Sequence, residues 1–146
     1  MVAVDSPEGA EKPADVALDI AEMNHAELVL MHVTQPAVGI LPPFGAGMPV
    51  VVPPSVFTAN REEEQKVSRW MTRVAWMAEE KGLKSRTRVA PSDLSVADQV
   101  AAAAEEEGAD LIVTGSHDWG TMERLIFGSV SSDVVRKAKC PVLVVH

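Results

Sequence analysis

Five short runs of apolar and β-branched residues punctuate the chain: "MVAV" at 1–4, "ELVLMHV" at 27–33, "SRTRVA" at 85–90, "ADLIVTG" at 109–115 and "CPVLVVH" at 140–146. Their apolar character is largely continuous rather than alternating, which predicts strands covered on both faces, as in a parallel sheet. Between them apolar residues recur at helical spacing. Val16, Ile20 and Met23 share one predicted face, as do Val67, Trp70, Met71, Val74 and Ala78. Val96, Val100 and Ala103-Ala104 repeat the pattern, and Val130, Val134 and Ala138 do so again. The order β-α-β-α-β-α-β-α-β follows. With right-handed crossovers it predicts one α/β domain over residues 1–146, a doubly wound parallel sheet of five strands with helices on both faces.

Turn residues sharpen these boundaries. Pro13 suits a first helical turn, Gly82 and Gly108 stand where left-handed helix ends are expected, and Pro141 separates the last helix from the last strand. Glu105, Glu106 and Glu107 crowd a helix C-terminus, where the dipole disfavours anions; a solvated face is expected there. Residues 36–60, "PAVGILPPFGAGMPVVVPPSVFTAN", carry six of the ten prolines. Each fixes φ and removes a donor, so an irregular Pro-rich loop is predicted. Its apolar content suits a lid or a partner surface.

Charge narrows the function. The 146 residues carry a net charge of −8, and an acidic surface repels phosphate backbones, so nucleic acid is not an expected partner. Cys140 is the only cysteine, which rules out an internal disulfide and permits a reducing compartment. No apolar stretch reaches the ~20 residues of a membrane span. The start "MVAVDSPEG" lacks the features of a secretory signal, so a cytoplasmic location is expected.

In a doubly wound sheet, ligands bind beyond the carboxyl ends of the strands. Asp5, Val33 and Thr114-Gly115-Ser116 are predicted to converge there. Gly115 ends a strand and Gly128-Ser129 opens a helix, whose free N–H groups and positive dipole end suit an anion. Glycine would let the backbone approach a ligand closely, while the Ser129 and Ser131 hydroxyls would add hydrogen bonds or cap the helix. His32 is expected in the core or at the pocket edge, and Trp70 and Trp76 in helix packing. Neither Ser129 nor Ser131 has a histidine placed to activate it, so no catalytic residue is assigned. The scattered histidines give no metal-ligand spacing.

These segments carry a resemblance. "VAVD", "ELVLMHV", "GADLIVTGSH" and "GSVSSDVVRKAKCPVLVV" are similar, nearly end to end, to the universal stress protein family. Nucleotide-binding members carry G-x-x-G, nine residues, then G-[ST]; here the frame runs from Gly115 through Asp118 and Trp119–Phe127 to Gly128-Ser129. The resemblance implies an adenine nucleotide alpha hydrolase-like fold with strand order 3-2-1-4-5. It implies adenine contacts from Ala3, Asp5 and Val33, and ribose or phosphate contacts from Gly115, Gly128, Ser129, Val130 and Ser131. It also implies a homodimer formed through the last strand, Pro141 to His146.

Asp118 departs from the pattern, standing where the motif has its second glycine. A carboxylate ~4 Å from a phosphate charge, at an effective dielectric near 20, costs on the order of 4 kcal/mol, roughly a thousandfold in affinity. A bound Mg²⁺ would reverse the sign by taking Asp118 as a ligand, directly or through water. Two functions therefore stand open. One is a stress-response dimer binding ATP or a related adenine nucleotide as a regulatory ligand; the other is a nucleotide-free signalling or chaperone-like dimer. A nucleotide hydrolase is a third, weaker alternative.

Overall fold

Successive residues of a strand point to opposite faces of the sheet, and the apolar residues divide accordingly into two cores. The computed structural model describes residues 1–34, 54–91, 94–116 and 128–146. Along the chain run β1 (Val2–Val4), α1 (Pro7–Asn24), β2 (Leu28–Thr34), α2 (Pro54–Glu80), β3 (Ser85–Pro91), α3 (Val96–Glu106), β4 (Ile112–Gly115), α4 (Ser129–Lys137) and β5 (Val142–Val145). The strands form one parallel sheet in the order β3-β2-β1-β4-β5. Val2, Val4, Leu28, Leu30 and Val113 pack under α1 and α2, with Val67, Trp70, Met71, Val74 and Ala78 supplied by α2. Met31, Val33 and Ile112 face the other way, against Val100, Ala103, Ala104 and Val134 of α3 and α4.

The helix α1 differs from its expected form in two respects. Ser6 is its N-cap, with Oγ accepting from the Gly9 N–H at 3.2 Å, and Pro7 opens the helix. Pro13 therefore lies inside the helix, not in its first turn. The buried face is Ala10, Pro13, Ala14, Ala17, Leu18 and Ala21. Val16 and Ile20 are only partly covered, and Met23 is 81% exposed. A stripe of alanines lets the helix lie close on the sheet, and that closeness outweighs the larger apolar side chains in choosing the face.

Other boundaries shift for equally local reasons. α2 begins at Pro54, so the last seven residues of the segment expected to be irregular are helical. Proline at a first helical position costs no hydrogen bond. Residues 36–53 lie outside the described residues. Trp70 is buried as expected, but Trp76 is 57% exposed and packs no core. Gly82 and Gly108 take φ of 72° and 62°, as their positions required.

β3 departs from the picture of strands buried on both faces: as an edge strand it buries only Ala90. Glu105 and Glu106 are exposed, as a solvated face requires, whereas Glu107 is largely covered by the arginines of β3. Glu107 accepts from both Arg86 Nη1 and Arg88 Nη1 at 2.9 Å, Arg88 also pairs with Glu106, and Arg86 with Glu27. Lys139 Nζ stands 2.7 Å from Glu105. These cations offset the unfavourable dipole at the end of α3.

Candidate functional site

β1, β2 and β4 bring their carboxyl ends together at the centre of the sheet. In register Ala3 stands beside Met31 on one side and Thr114 on the other. Ala3 and Val33 belong to the α3–α4 side of the sheet. Thr114, two residues after Ile112, shares that side and is 6% exposed. Asp5 follows β1 directly and is exposed. α4 has nine residues, about 14 Å of helix, which matches the ~13 Å of a four-residue strand. Its C-terminus leads into the start of β5, so its N-terminus lies level with the strand ends.

Among the described residues that N-terminus has no side-chain cap. Its N-cap is Gly128 (φ −53°, ψ 151°), with no side-chain hydrogen bond to the first turn. Ser129 and Val130 are exposed, while Ser131 is 3% exposed and donates its hydroxyl to the Gly128 carbonyl at 3.0 Å. The Ser131 hydroxyl is thus occupied within the helix and caps no N–H. Its backbone amide, with those of Ser129 and Val130, belongs to the first-turn donors that a helix leaves without intrahelical partners. Three adjacent N–H groups at a positive dipole end form an anion site in chemical terms.

Gly115 is explained by packing. A Cβ added there would stand 2.7 Å from the Gly9 carbonyl oxygen and 3.4 Å from Pro13 Cγ. The missing side chain therefore points at α1, on the sheet face opposite α4. Pro13 has no N–H to offer the carbonyl four residues earlier, and its ring crowds that same Gly9 carbonyl. β4 needs glycine at this crossing, with or without a ligand. Beyond it the Ser116 N–H donates to Val145 O at 2.9 Å, and Ser116 Oγ lies 2.8 Å from His146 Nδ1. Lys12 Nζ donates to the His146 carbonyl at 3.4 Å, placing one cation near this end of the sheet.

Sequence reasoning placed His32 in the core or at the pocket edge, as found, but not its partner, and gave Gly9 no role. His32 is 9% exposed and its Nδ1 lies 2.8 Å from the Val4 carbonyl, a contact across 28 positions that no spacing rule reveals. Gly9 has its meaning only through Gly115. Asp118 and Trp119 lie outside the described residues. Among the described residues no three His, Cys, Asp or Glu side chains are grouped to hold a metal ion, and no helix is long and apolar enough to cross a membrane.

Known proteins place this architecture. The model of the universal stress protein family matches residues 1–146. The chain is 32% identical over 147 residues to universal stress protein YxiE of Bacillus subtilis, covering all of this chain and 97% of that one. Among solved structures, universal stress protein UspA of Lactobacillus plantarum superposes with a TM-score of 0.77 at 21% identity, covering 99% and 95% of the two chains. A universal stress protein of Archaeoglobus fulgidus, solved in complex with dAMP, superposes with a TM-score of 0.65 at 20% identity, covering 99% and 94%. The fold is that of the adenine nucleotide alpha hydrolase-like proteins, and the chain belongs to the universal stress protein family.

Proposed function

We propose that this protein binds ATP or a related adenine nucleotide as a regulatory ligand and does not turn it over. The observation that carries the proposal is the N-terminus of α4, with no side-chain cap among the described residues and with Ser129 and Val130 exposed, level with the carboxyl ends of β1, β2 and β4. Ala3, Asp5 and Val33 would border the base. Gly115, Gly128 and the amides of Ser129, Val130 and Ser131 would border the ribose and phosphates. Asp118 would either oppose the phosphates or join a Mg²⁺ carried in with them. Related structures support the class of ligand: family members were solved with dAMP, with cAMP and with AMP.

The same proposal includes a homodimer through Pro141–His146. β5 is a sheet edge whose Leu143 is 37% exposed, and an unpaired apolar edge favours strand pairing with another copy. A cytoplasmic location accords with the single cysteine.

Thermal unfolding with ATP, with and without Mg²⁺, tests the ligand. A ligand held at a hundred times its Kd stabilises by about 2.7 kcal/mol, or roughly 5–11 °C in a domain of this size. A rise that ATP produces and inorganic phosphate does not supports the proposal. No rise at millimolar ATP in either condition refutes it and favours the nucleotide-free dimer, the alternative that Asp118 keeps open.

A further inference from the structure

β1 and β2 end differently. Pairing of β1 with β4 stops at Ala3 and Thr114, and pairing with β2 stops at Val4 and His32. β2 continues two residues further, held by β3 as far as Thr34 and Pro91, and Thr34 Oγ1 donates to Ala90 O at 3.2 Å. His32 therefore stands on a strand anchored beyond it, beside a strand that has just lost its other neighbour. The peptide leaving Val4 leads straight to Asp5, the exposed residue expected at the adenine.

Across that step lies the contact of His32 Nδ1 with the Val4 carbonyl at 2.8 Å. A carbonyl oxygen only accepts, so Nδ1 carries the proton. His32 shares strand parity with Leu28 and Leu30, which pack under α1 and α2. The ring thus grips β1 from the face opposite α4 and the proposed ligand. We propose that His32 is a positioning residue of the nucleotide site: its Nδ1–H holds the Val4 carbonyl and so fixes the direction in which Asp5 leaves the sheet. It touches no ligand; it acts through the backbone. This inference rests on the nucleotide function proposed above.

Asparagine and leucine separate positioning from packing. The Asn amide nitrogen overlays Nδ1 and keeps a donor there, whereas leucine fills space without one. His32→Leu should weaken ATP binding about tenfold, the effect of one lost hydrogen bond. His32→Asn should remain within about threefold of the unaltered protein. In an Asp5→Ala background His32→Leu should change the affinity less than about twofold, because the residue it positions is gone. Equal weakening by Leu and Asn, or full additivity with Asp5→Ala, overturns the proposal. Should the unaltered protein bind no adenine nucleotide, the function proposed above fails instead, and the Asp5 amide signal in ¹H–¹⁵N spectra decides the inference. That signal should move in His32→Leu and return in His32→Asn. An unmoved signal in His32→Leu overturns the proposal, and a melting curve of each variant confirms that it is folded.

Discussion

Gly115→Ala isolates the contact between α1 and β4. The added methyl would stand 2.7 Å from the Gly9 carbonyl oxygen, well inside contact distance, and 3.4 Å from Pro13 Cγ. Neither neighbour yields freely: one is backbone in the first turns of α1, the other a ring inside the helix. Relief requires α1 to lift from the sheet by several tenths of an ångström, loosening Ala10, Ala14 and Ala17 from their places in the core. Overpacking of this kind costs ~1–3 kcal/mol. At about 2–4 °C per kcal/mol for a domain of this length, the melting temperature should fall by roughly 2–12 °C. The assay is thermal and urea unfolding without nucleotide, where a role confined to ligand contact predicts no change. A variant within about 0.5 kcal/mol of the original, the scatter of neutral surface substitutions, would refute the packing account of Gly115 and restore the ligand as its reason.

Gly82→Ala makes the complementary case: nothing lies within 4 Å of the added carbon, yet φ is +72°, so a loss of about 1–2 kcal/mol from backbone strain alone is expected in urea unfolding. Ser129→Pro removes the first N–H of α4 while leaving the helix intact, because Gly128 already has the extended geometry that precedes proline; ATP affinity should drop roughly 10- to 150-fold, the range for a hydrogen bond to a charged group, with unfolding unchanged. Asp118→Gly should strengthen ATP binding measured by calorimetry without Mg²⁺, by up to about a thousandfold if the carboxylate lies near a phosphate, and unchanged or weaker binding would exclude repulsion. The hydrogen bond from Lys137, and then that from Ser95, hold the Asp98 carboxyl below its usual 3.8. Asp98 therefore adds stability above that value and loses it as pH falls through its folded pKa. Lys137→Met should melt slightly lower than the original near pH 6, and the difference should vanish well below pH 3.8.

Elements whose signals are local were legible in the sequence. Large apolar residues at helical spacing marked the buried side of α2, and the continuous run at 28–33 marked β2, whose residues Leu28 to Val33 are all buried. The glycines at 82 and 108 disclosed their own backbone angles. What stayed hidden depends on partners far along the chain. The face of α1 is set by how close Ala10, Ala14 and Ala17 allow it to come, a property of the crossing rather than of hydrophobicity. Gly115 looked like a ligand glycine because its opponent is a carbonyl more than a hundred residues earlier. The cover over Glu107 was hidden because its arginines stand on β3, some twenty residues earlier. At the candidate site the strand ends and the opening of α4 were legible, since both follow from the βα pattern. The burial of His32 was legible too, but its partner was not, because a histidine in an apolar run carries no mark of the carbonyl it holds.

The two margins of the sheet are not alike. Along β3 the arginines at 86 and 88 are tethered to glutamates, and Pro91, which has no N–H, closes the strand. Along β5 the outermost residues are valine and leucine, with no charge between 142 and 145. A third copy arriving at a β5-linked pair would meet only guarded borders. If two copies pair through β5 as proposed, assembly by that route would terminate at two molecules instead of growing into a filament.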